Sequence, residues 1–101
     1  MDDKIKNEIN EYVLVATDAE IFIKFFNQIV EEYGRISFAD AMYLLKMIFY
    51  VHSDIRYVDM CYGWTRKITL EKDFIVDVKG NTINCRFNLP KPEYLNMNEV
   101  C

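Results

Sequence analysis

His52-Ser53-Asp54 is where the residue types of nucleophilic catalysis stand side by side in this chain. In a working triad an imidazole takes the hydroxyl proton and a carboxylate orients the imidazole. That requires a spatial arrangement, which adjacency along the chain does not supply. His52 is the single histidine, and without a positioned partner it reads as a helix-end or loop residue. Paired carboxylates, the equipment of general acid–base chemistry, occur at Asp18/Glu20 and Glu31/Glu32. Both pairs fall at helix ends, where capping and solvation account for them, and nothing singles out two for glycosidase-like work. One histidine and cysteines at 61, 85 and 101 offer no metal-ligand spacing. Three glycines, at 34, 63 and 80, make no phosphate-cradling loop. No catalytic residue, metal or cofactor is expected, and the chain reads as a non-enzyme.

Binding is the better-supplied chemistry. Tyr62-Gly63-Trp64 with Arg66 and Lys67 combines the aromatic and basic types that dominate interface hot spots and that also stack on nucleic-acid bases. The competing reading is that Trp64 locks a hairpin onto the helices. Glu31, Glu32 and Asp40 are the carboxylates expected on exposed helix faces. These seven residues are the candidate partner-binding set.

The elements that must position them follow from periodicity. Ile5, Ile9, Tyr12 and Val13 have helical spacing over 3–13, with Val13 to Ala16 open between helix end and extended link. Thr17-Asp18-Ala19-Glu20 has the form of a capping box. Phe22, Phe25, Phe26, Ile29, Val30 and Tyr33 then make one apolar face, with Lys24, Asn27, Gln28, Glu31 and Glu32 opposite. Gly34 stops that helix. Ser37 caps the next, with Asp40 in its first turn and Ala41, Leu44, Leu45 and Ile48 buried. Residues 51–65 show no clear period, with a helical turn expected near 54–60 and a chain turn at Gly63. From Phe74 the period becomes two, and Lys79-Gly80-Asn81 is a turn signal. A hairpin is expected over 73–89, ended by Pro90 and Pro92, with 93–101 a loose tail into which Tyr94 and Leu95 could tuck.

Tyr33-Gly34-Arg35-Ile36-Ser37-Phe38-Ala39-Asp40, then Tyr62-Gly63-Trp64-Thr65, then Leu89-Pro90-Lys91-Pro92, resemble in order three signatures of small phage and prophage proteins of Gram-positive bacteria. The likeness covers roughly residues 18–92. It departs from the group where Lys46 to Tyr50 continues apolar and across 51–61. The group has no known function, so the resemblance implies a phage or prophage origin and a helices-then-hairpin fold, with no catalytic residue to carry over.

The 101 residues suffice for one domain, with a helical part over 3–62 and 51% hydrophobic residues to fold it. The net charge is −4, unevenly spread: residues 1–63 hold six Lys/Arg against eleven Asp/Glu, and 64–91 hold six against three. That sign opposes non-specific DNA binding, which draws on released counterions. No leader-like or membrane-spanning run is read, and a bacterial host cytoplasm is the expected setting. The expected class is α+β: N-terminal helices packed on a C-terminal β-hairpin, in winged-helix-like order. The expected function is inhibition of a host protein that handles nucleic acid, such as a CRISPR effector, by an acidic blocker. The alternatives are a winged-helix nucleic-acid binder, with 54–62 in the major groove and the 79–82 turn as wing, and a virion assembly or accessory protein.

Overall fold

A computed structural model describes residues 8–49 and 60–95. The expectations for residues 3–7, His52-Ser53-Asp54, the helical turn near 54–60 as far as residue 59, and the end of the tail therefore lie outside the described residues. The class is α+β, with the helices ahead of a C-terminal hairpin. A 3-10 turn (Glu8–Glu11) leads to β1 (Val13–Val15), α1 (Ala16–Tyr33), β2 (Ile36–Ser37) and α2 (Phe38–Phe49). Then come β3 (Tyr62–Trp64), α3 (Leu70–Asp73), β4 (Phe74–Lys79), β5 (Thr82–Phe87) and β6 (Glu93–Tyr94).

Two antiparallel three-stranded sheets form, in the orders β1-β5-β4 and β2-β3-β6. The β4–β5 hairpin appears where period two begins, registered Phe74↔Phe87 through Lys79↔Thr82, with Gly80 at φ 61° in the turn. The left-handed region is open to glycine without the Cβ cost other residues meet there. The expected first helix is instead a 3-10 turn followed by a strand. Val13, Leu14 and Val15 pair with Arg86, Cys85 and Asn84, and these residues favour a half-buried strand over a helix end.

α1 buries Ala19, Phe22, Phe26 and Val30, a narrower stripe than expected. Phe25 is exposed, and Tyr33 is 71% exposed. The capping box at Thr17 does not form: the helix starts two residues earlier than that cap would set it, with Val15 at the cap position and no side-chain cap bond. Pairing Val15 with β5 fixes the backbone there, so tertiary geometry overrides the local signal. The C-terminal end is as read: Gly34 has φ 78° and donates its N–H to the Val30 carbonyl at 2.8 Å. Ser37 Oγ accepts the Asp40 N–H at 3.0 Å and so starts α2.

Phe22, Phe26, Phe74 and Phe87 make the core between α1 and the first sheet, the Phe22 and Phe87 rings meeting edge-on at 4.9 Å. The tail also needs correction. Glu93 and Tyr94 form β6 on β3, and the Leu95 N–H donates to the Cys61 carbonyl at 2.9 Å.

Candidate functional site

Trp64 settles the competition between lock and contact residue in favour of the lock. It is 4% exposed and sits between Phe26 of α1 and Phe38 of α2, with ring centroids 5.8 and 5.9 Å away. Its indole N–H donates to the Pro90 carbonyl at 2.8 Å, which meets the requirement that a buried indole find an acceptor. Gly63 is not in a turn but in the middle of a strand, opposite Ser37 on one side and Glu93 on the other. A Cβ there would lie 2.0 Å from the Ile36 carbonyl oxygen. The glycine is required by close backbone approach rather than by chain reversal.

Arg66 and Lys67 are each paired with a carboxylate, Arg66 with a buried one and Lys67 with an exposed one. Arg66 makes a two-pronged pair with Asp73, at 3.0 and 2.6 Å. Asp73 is 1% exposed and also accepts the Thr69 N–H at 2.9 Å. Burial pushes the Asp73 carboxyl upward, but the Arg66 and Thr69 hydrogen bonds and the charges of Arg66 and Lys72 outweigh it, so it titrates below the usual carboxylate value. Hydrogen bonding to Asp73 holds the Arg66 guanidinium above its ordinary value. Lys67 ion-pairs with Glu31, whose carboxyl is lowered by that hydrogen bond. Asn27, expected on the solvent face of α1, is half-buried and clips the Ile68 backbone by both its N–H and its carbonyl, at 2.7 and 2.9 Å. The 66–73 segment is thus tied to α1 through Asn27 and Glu31.

The surface left for a ligand lies elsewhere. A cavity of about 610 Å³ opens where the end of α1, β2 and the start of α2 converge, lined by Ile29, Tyr33, Arg35, Asp40, Tyr43 and Met60 among others. Tyr33, Tyr43 and Met60 are all exposed there. Gly34 and the Ser37 cap create this groove, because they turn α1 sharply into α2. Asp40 lines it, and exposed Glu32 lies one turn along α1 from Ile29. Tyr62 and Tyr94, paired across β3 and β6 with rings 5.6 Å apart, form a separate aromatic edge. Of the seven candidates, then, Asp40 stands in the groove with Glu32 on the helix beside it. Glu31, Arg66 and Lys67 are ion-paired, Trp64 is core, and Tyr62 is half-buried.

Tyr33, Tyr43 and Met60 were not among the sequence candidates. The spacing of Tyr33 puts it on the buried face of α1, and the signal against that is its place one residue before the stop at Gly34. Among the described residues, no group of three or more His, Cys, Asp or Glu residues could hold a metal ion. No helix among them is long and apolar enough to cross a membrane. Cys85 is buried, and burial, with the nearby Glu20 charge, pushes its thiol above the ordinary value, which leaves it protonated and poorly nucleophilic. Compared with known proteins, the chain matches no family model, no curated protein and no solved structure.

Proposed function

We propose that this is a non-enzymatic, phage-encoded binding protein that inhibits a host defence protein handling nucleic acid, in the manner of an anti-CRISPR protein. The observation that carries the binding half is the groove of Tyr33, Tyr43 and Met60 with Asp40 in its wall. Tyrosine, methionine and arginine are the types enriched in protein interfaces. A 71% exposed tyrosine at a cavity rim is an anchor awaiting a pocket. The charge supports a basic partner surface. Asp40 and Glu32 are exposed, while Arg66 and Lys67 already face carboxylates. Asp40 and Glu32 beside the groove, whose lining also holds Arg35, would compete for the basic channel in which a partner holds nucleic acid. The phage origin and the choice of a defence protein rest on the resemblance of the Tyr33–Asp40, Tyr62–Thr65 and Leu89–Pro92 segments.

The test uses the immobilised protein in lysate of a Gram-positive host, followed by competition with that lysate's partner on its own nucleic acid. The wild type is expected to capture a nucleic-acid-binding protein and to be displaced from it by duplex DNA or RNA. Glu32→Lys with Asp40→Lys is expected to weaken capture at least about tenfold, roughly 1.4 kcal/mol. The reading fails if the double variant captures the same protein equally well. It also fails if the wild type itself shifts duplex DNA below about 1 µM at physiological salt, since non-specific binding is typically no tighter than that.

A further inference from the structure

β4 is an edge. Among the described residues it pairs with β5 alone. The register Lys79↔Thr82 closes a two-residue turn, so Lys79, Asp77 and Ile75 direct their N–H and C=O groups toward β5. Val78 and Val76 direct theirs outward, where nothing on the described chain takes them up. Natural edges are usually blunted by proline, a bulge or charged side chains, and of these β4 carries only Asp77 and Lys79, near its turn. β4 reads Phe-Ile-Val-Asp-Val-Lys, six residues without proline, paired one-to-one with β5 along its length. Its apolar side chains are also uncovered. Val78 is 64% exposed, Val76 46%, and Ile83, opposite Val78 on β5, 44%. These three share a face with buried Phe74, Cys85 and Phe87, so the far half of the hairpin carries a core-type face beyond the core.

We propose that β4 pairs edge to edge with β4 of a second copy of this chain, around a two-fold axis at Val78. The strand's own charges choose this occupant and this register. With Val78 opposite its counterpart, Asp77 stands opposite Lys79 of the second copy, and Lys79 opposite its Asp77. Both contacts fall at the closely spaced, non-hydrogen-bonded positions, where side chains approach most nearly. Within one chain Lys79 and Asp77 lie on one face, 3.9 Å apart, so the dimer would join two such pairs into a four-charge cluster of alternating sign. On the other face Val78 would meet Val78 of the second copy, with Ile83 of each copy flanking the pair from β5, making one apolar band across the axis. Each sheet of three strands would become half of a continuous sheet of six. A two-fold interface must be self-complementary, residue by residue, and the alternation of Asp77, Val78 and Lys79 satisfies that. Slipping the register to put the axis at Asp77 would instead place two carboxylates face to face.

Sedimentation equilibrium over a concentration series tests this. The wild type is expected to pass from monomer to dimer by about 100 µM, a modest affinity suited to one strand pair. Asp77→Lys and Lys79→Asp, each placing like charges opposite one another, are each expected to weaken the dimer about tenfold or more. Asp77→Lys combined with Lys79→Asp restores the complement and should restore the dimer. Both positions are exposed, and thermal melts confirm that each of the three variants is folded. A wild type monomeric throughout the series overturns the proposal. So does a dimer that either single variant leaves unchanged, because another surface would then be responsible. The groove between α1 and α2 takes no part in this contact, so the outcome is independent of the groove's partner.

Discussion

Asp73 is the residue on which the C-terminal half turns. Its carboxylate holds Arg66 by two hydrogen bonds and the Thr69 N–H by a third, while Thr69 Oγ1 accepts the Lys72 N–H at 3.2 Å. The capping device read at Thr17 is thus built instead around Thr69, where it starts α3. Because the Asp73 carboxyl titrates lower when folded than the roughly 4 of an unfolded chain, the folded state binds fewer protons through it. Its stabilisation is complete above the unfolded value and is lost as pH falls through the folded one. Asp73→Asn is expected to cost about 2 kcal/mol at neutral pH, since it weakens a charge-assisted pair without emptying the site. That cost should shrink once the pH falls below the unfolded carboxyl's value, because the unfolded chain then takes up a proton that the folded Asp73 resists. Urea melts of both proteins at pH 7 and pH 3 check this, and an equal difference at the two pH values would contradict it. Arg66, partly exposed, matters mainly because its removal leaves a buried carboxylate unpaired.

At the scale of elements, the second sheet is the least expected part of the molecule. Its strands are two or three residues long, too short for alternation to register. It is held by contacts between backbones far apart in sequence, and Gly63 is the price of their closeness. Gly63→Ala places a methyl group against the Ile36 carbonyl and the Ser37 Cα, at 2.0 and 2.7 Å. Neither is a side chain that can swing away. A loss of about 3 kcal/mol is expected, in the range of overpacked positions. Gly80→Ala makes the contrast: nothing lies within 4 Å of its Cβ site. The cost there is backbone strain alone, about 1 kcal/mol. Thermal melts of the two variants rank them, and a Gly63→Ala protein as stable as the wild type would remove β3 from the sheet.

The whole molecule is closed by contacts between its ends. β1 pairs with β5, and Asn10 clips the Leu89 backbone through both its amide groups, at 2.9 and 3.0 Å. Trp64 joins both helices to the second sheet. Neither sheet has a core of its own, so unfolding should be a single cooperative event. Emission from Trp64, the sole tryptophan, and helical circular dichroism should therefore give coincident urea transitions. Separate midpoints would mean that the two sheets unfold independently.

Whatever depends on near neighbours along the chain is legible in the residues alone. The start of α2 at Ser37, the stop at Gly34 and the β4–β5 hairpin are each set by residues within one turn of one another, and each stands where it was read. The class followed, since a helical period gives way to a period of two at Phe74. Tertiary structure alone decided the rest. Val13 to Val15 became a strand only because β5 offered an edge, and that pairing moved the start of α1 and left the Thr17 box unused. Glu93 and Tyr94 became a strand because β3 did the same. The site moved for a like reason. Arg66, Lys67 and Glu31 look like free charges in a linear chain, and the fold pairs them across seven and 36 positions. Tyr33 has the spacing of a core residue, yet the turn at Gly34 carries it past the packed layer into a groove. Periodicity specifies which side of an element a residue takes, and only the arrangement of elements specifies whether anything lies on that side.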